Sequence, residues 1–121
     1  MSSFHRFWRN GLALLAMGLA LALPATLSAA QAGSTRYTGR VSDSMCGRTH
    51  DMGYKSKVAC VRACVKGGSS YALVVGQRTY TLVTSNPQQV AALYKYADQR
   101  VVVTGRLNGA KLTVQSVAPA R

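Results

Sequence analysis

Acid is what this chain has least of. Three aspartates, Asp43, Asp51 and Asp98, stand against 15 lysines and arginines, giving a formal charge of +12 at pH 7. No two carboxylates form a pair suited to general acid and base work. A phosphate-cradling glycine loop and a nucleophile elbow are also missing, so hydrolase and nucleotide-enzyme chemistries have no footing. There is no Cys-x2-Cys pair of the thiol-redox kind, no internal repeat, no low-complexity tract and no interdomain linker. A chain of 121 residues has room for one domain. Its charge imbalance favours anionic partners, such as an envelope polymer or a membrane surface. The cations are nevertheless spread along the chain, as on an ordinary solvated surface.

The first segment reads as an address. Arg6 and Arg9 precede an uncharged Leu/Ala run, Gly11 to Leu23; Pro24 then leads to small residues ending Ala30-Gln31-Ala32. These are the parts of a secretory signal peptide, cleaved after Ala30 or Ala32, with residues 33–121 as the mature domain. A retained membrane anchor is the competing reading, because the apolar run approaches the ~20 residues of a spanning helix. Export implies a periplasmic or secreted location, where disulfides are permitted and intracellular nucleic acid is not an expected partner.

Chemistry is concentrated in one stretch. All three cysteines, Cys46, Cys60 and Cys64, lie close together with His50, Met45 and Met52. Tyr37 and Val41 share one face of a first strand over residues 36–42, with Gly39 between them as a bulge or bend. The cysteine loop follows, and Asp43 and Ser44 suit its opening turn. Ser56 caps a helix over residues 57–66 that Gly67-Gly68 stops. Val58, Val61 and Val65 face the core from it, and Cys60 and Cys64 form a neighbouring stripe at the core's edge. Strands over 71–75 and 78–83 flank Gly76-Gln77, a type II′ hairpin loop. Asn86-Pro87 opens a second helix, with Val90, Leu93, Tyr94 and Ala97 on one side and Asp98 near its end. A last hairpin, 100–107 with 111–117, is built around Asn108-Gly109. Its first strand carries Gly105, a place for a barrel to bend. The fold class expected is all-β with short helices: a five-stranded OB-like barrel with a helix between the third and fourth strands. An antiparallel sheet with two packed helices has the same element order.

The run Gly39-x-Val41-x-Asp43-Ser44-x-Cys46-Gly47, with His50, Cys60-Val61-x-Ala63-Cys64-Val65-x-Gly67-Gly68, Tyr71-x-Leu73 and the Val-x-Val-Thr-Gly run ending at Gly105, resembles a family of small exported bacterial OB-like proteins of uncharacterised function. The resemblance covers nearly all of the mature chain and implies the fold and the exported address.

Four uses of the cluster are open. Cys46, His50, Cys60 and Cys64 can make a tetrahedral site for zinc or copper, with Met45 and Met52 as added thioether ligands for Cu(I). Arg48, Lys55, Lys57 and Arg62 surround it with charge that lowers thiol pKa; Asp51 is either an acceptor that orients His50 or, on the plainer reading, a solvated loop carboxylate. A disulfide from Cys46 to Cys60 or Cys64 would instead staple the loop and leave one thiol over. Thiol redox chemistry with His50 as proton acceptor would make the protein an enzyme, for which no substrate pocket is legible. Fourth is a binding module for an anionic oligosaccharide or nucleic acid, using Arg48, Lys55, Arg62, Tyr71, Arg78 and Tyr80.

Overall fold

The computed structural model describes residues 33–121; the signal-peptide reading of residues 1–32 lies outside them. Five strands and two helices follow in the order β1 (Thr35–Asp43), α1 (Lys57–Lys66), β2 (Tyr71–Val75), β3 (Arg78–Val83), α2 (Pro87–Lys95), β4 (Arg100–Asn108) and β5 (Lys111–Pro119). The strands close on themselves as a barrel, β1-β2-β3-β5-β4. All ladders are antiparallel except the closing one between β3 and β5, which pairs Leu82 with Leu112 in parallel.

Strand β1 serves two neighbours. Thr35 to Arg40 pair with β4, and Arg40 to Asp43 pair with β2. Where β1 leaves β4, the segment after α2 takes over: Val41 donates to the Gln99 carbonyl at 3.0 Å and accepts from the Asp98 amide at 2.9 Å. Asp98 makes that turn with φ 58°, the sole positive φ outside glycine among the described residues. The Arg40 guanidinium donates to the Asp98 carbonyl at 2.5 Å and lies 3.4 Å from its carboxylate.

Gly39 is not a bulge, as the sequence suggests. It marks a close approach, because a Cβ there would run into the Val74 carbonyl oxygen, with Leu73 and Val75 side-chain atoms at 2.9 Å. Gly105 is both: the β4–β5 register shifts between Thr104 and Gly105, and a Cβ would meet the Thr113 carbonyl. The bend expected there is present. Both tight hairpins put glycine at the first loop position, Gly76 with φ 56° and Gly109 with φ 60°. In the second, Gly109-Ala110 form the turn and Asn108 stays in the ladder opposite Lys111.

The core holds Val41, Leu73, Leu82, Val101, Val103, Leu112 and Val114 from the strands, Val61 from α1, and Leu93 and Ala97 from α2 and the turn after it. The amphipathic face expected of α2 is narrower than its spacing suggests, since Val90 and Tyr94 are exposed. Tyr94 has another task. Arg62 of α1 donates two hydrogen bonds to its carbonyl, at 3.2 and 3.0 Å, and lies 4.2 Å above its ring, which fastens the two helices to each other. Among the described residues no helix is long and apolar enough to cross a membrane.

Candidate metal centre

Two elements build the site. Strand β1 ends at Asp43, fully buried, and the chain turns at once: Asp43 Oδ1 accepts from the amides of Met45 at 3.0 Å and Cys46 at 2.9 Å. This is the capping role expected of a short side chain that opens a loop, and it aims Cys46 inward. The second element is α1, capped by the Ser56 side chain, which accepts from the Ala59 amide. Cys60 and Cys64, one turn apart, look back towards that loop. The sequence puts these two at the edge of the core, but both are buried, Cys60 at 1% exposure.

Cys46 Sγ lies 3.9 Å from Cys60 Sγ and 3.9 Å from Cys64 Sγ. The three thiols are free, and all three sulfurs lie within 4.8 Å of one another. Four ligands at Zn–S bonds of about 2.3 Å stand ~3.8 Å apart along a tetrahedron's edges, so the spacing already suits a tetrahedral ion.

His50 stands on the other side of Cys46, where Asp43, Cys46 and His50 form a second group of donor atoms within 4.8 Å of one another. Its protonation follows from its neighbours. Ser42 Oγ donates to the Gly47 carbonyl at 2.5 Å, which uses its only proton, so at 3.2 Å it accepts from His50 Nε2–H. In the neutral ring that leaves Nδ1 with a bare lone pair. This nitrogen faces Asp43 Oδ2 at 3.8 Å, too far for a hydrogen bond. Neither atom has any hydrogen-bond partner, although both are buried. With the ring neutral, two buried acceptors face each other without a donor, which requires an explanation. A metal ion drawn to both atoms would supply the missing partner.

Sequence reasoning missed Asp43 as a site residue. Its turn-forming role is visible in the chain, whereas the use of its second oxygen depends on the fold. Asp51 is exposed, in keeping with a solvated loop carboxylate. Met45 and Met52 stand largely in solvent, 69% and 58% exposed.

The expected effect of the surrounding cations on the thiols is reversed. Burial, the neighbouring Cys60 and Cys64 thiols and the Asp43 carboxylate push Cys46 up to about 12. Burial first, then Asp43 and the other thiols, also raises Cys64, against a hydrogen bond from Cys46 that lowers it. The cations do not counter this, because Arg48, Lys55 and Lys57 are exposed and Arg62 is committed to Tyr94. Thiols raised in the folded state bind protons that the unfolded chain has released, so stability falls with rising pH in that window. The metal-free domain is therefore expected to keep its full stability below pH 9.0, the ordinary thiol value, and to lose it progressively towards 12. Chemical denaturation between pH 7 and 11 measures this. A flat profile would show that the thiols titrate as they do in the unfolded chain.

The residues considered for an anionic ligand are scattered. Tyr71 is a core residue, 7% exposed, and offers no stacking face. Tyr80 packs against Tyr37, ring centres 5.9 Å apart. Arg78 and Lys55 are exposed. Comparison with family models, with curated proteins and with solved structures gives no match.

Proposed function

We propose that this protein binds one soft transition metal ion, zinc or copper, through Cys46, Cys60 and Cys64, with His50 Nδ1 as the fourth ligand and the Asp43 carboxylate beside it. His50 and Asp43 group with Cys46 rather than with all three sulfurs, so binding draws the ring across. The carrying observation is the pair of buried, unpartnered atoms, Asp43 Oδ2 and His50 Nδ1, adjoining three free thiols at tetrahedral spacing. Thiolate and imidazole are ligands for zinc and Cu(I), and Ser42 holds the ring in the tautomer that ligation needs. The buried thiols must shed protons to bind, so affinity rises with pH, by up to about three decades per unit while all three stay protonated.

The ion's role is structural: it would tie α1 to the loop after β1, adding to the packing of Val58, Val61 and Val65 against the core. A carrier role is the variant of this reading, favoured by the partial exposure of Cys46. The strand order, with its parallel β3–β5 closure and α2 between β3 and β4, supports an OB-like barrel. The composition of residues 1–32 supports export to the periplasm or beyond. A disulfide from Cys46 to Cys60 or Cys64 is the alternative use of the thiols, but it leaves Asp43 Oδ2 and His50 Nδ1 unexplained.

The test is the mass of the protein recovered without reductant from cells expressing the full chain, under native and denaturing conditions. The native mass should exceed the denatured mass by one metal ion, with all three thiols free after denaturation. A metal-free mass lower by two hydrogens would overturn the proposal in favour of the disulfide.

A further inference from the structure

Beside the metal centre lies a cleft of about 610 Å³, bounded by β1, the loop after it, the β2–β3 turn and the start of β4. It shares only Ser42 and His50 with the proposed metal site. Its volume falls in the range of small-ligand sites. Arg40, Arg48, Lys57 and Arg100 line it, against the single carboxylate of Asp98. That carboxylate is engaged by Arg40. Arg48, Lys57 and Arg100 have no ion-pair partner among the described residues. Three unpaired like charges lining one concavity repel each other, a cost that a bound anion relieves. Hydroxyls of Thr38, Ser42 and Thr49 share the wall with His50.

We propose that this cleft binds a small polyvalent oxyanion, a ligand bearing two or more phosphate or carboxylate groups, held by Arg48, Lys57 and Arg100. Planar guanidinium groups match both oxyanions in two-point contact, and the lysine adds a mobile point charge. The surplus of cations fits a ligand of two or three negative charges better than a single carboxylate. None of Lys55, Arg62, Tyr71, Arg78 or Tyr80 lines the cleft, so it is a different surface from the one the strand aromatics suggest. The site needs no metal, although His50 forms part of its wall.

Calorimetric titration of pyrophosphate and of citrate into the protein recovered from cells expressing the full chain tests this. Saturable one-to-one binding is expected, weakened at least about tenfold by Arg48→Ala or Arg100→Ala and left nearly unchanged by Lys111→Ala. Lys111 is exposed on β5, outside the cleft, and its removal matches the charge change. Tighter binding of pyrophosphate assigns phosphate chemistry and tighter binding of citrate assigns carboxylate; either upholds the site. Cys60→Ser should retain the interaction, and its loss there would put the anion on the metal and overturn the proposal. Equal weakening by Lys111→Ala would reduce the effect to overall charge and also overturn it. So would the absence of saturable binding, or binding of a single-stranded oligonucleotide where pyrophosphate shows none.

Discussion

Cys60→Ser is expected to remove tight metal binding while leaving the barrel folded. Cys60 is 1% exposed and stands 3.9 Å from Cys46 Sγ, so the substitution deletes a donor at the centre of the cluster and changes side-chain volume little. Losing an outer partner of a metal ligand costs 10–100-fold in affinity; losing the ligand itself should cost more than about 100-fold. Ser42→Ala supplies the outer-partner comparison, since Ser42 touches the ion only through His50. Its expected loss is about 10–100-fold. Competition against a chromophoric chelator measures both variants. Thermal melts with and without zinc show whether each still folds, because an ion that binds only the folded state raises the midpoint by mass action. Unchanged affinity in Cys60→Ser would remove α1 from the metal site. Equal losses in the two variants would mean that the histidine, not the thiols, dominates binding.

Gly39→Ala is expected to cost about 3 kcal/mol or more of folding stability, at or beyond the top of the ordinary range for a single substitution. The added carbon meets a backbone carbonyl, that of Val74, so relief requires β1 and β2 to part. For a domain under 100 residues each kcal/mol lowers the midpoint by about 4–8 °C, so the variant should be largely unfolded at temperatures the parent tolerates. Gly53→Ala is the control. Gly53 has φ 77°, but a methyl group there would meet nothing within 4 Å, so only the backbone penalty of about 1–2 kcal/mol applies. Urea titration should show a fall in midpoint for both, much larger for Gly39→Ala, with unchanged slope. Similar losses at the two positions would mean that β1 and β2 are not in such close contact.

Local grammar made most of the fold legible. Ser56 and Gly67 delimit α1, Asn86 and Pro87 start α2, and the hairpin glycines set where the strands turn; each is a neighbour-range effect that needs no knowledge of the rest of the chain. What escaped the sequence depends on which strand lies opposite. A strand tyrosine such as Tyr71 can by type be core filler or a stacking face, and it is the pairing with buried Asp43 that puts it in the core. The thiols' environment was misjudged for a similar reason: Arg62 is two residues from both Cys60 and Cys64 in sequence, but its guanidinium points away to Tyr94. The sequence shows which soft donors are available and that they are concentrated. The pairing of Asp43 with His50 across the turn belongs to the fold alone.

The division of β1 between two neighbours also gives the domain a direction. The chain joins the barrel at Thr35, paired with Gly105, and reaches the cysteine loop only after the whole strand has been traversed. At about 3.3 Å per residue that is a path of roughly 26–30 Å. Residues ahead of Thr35 therefore meet the barrel at one end of β1, and the cysteine loop, with Cys46 partly exposed, leaves it at the other.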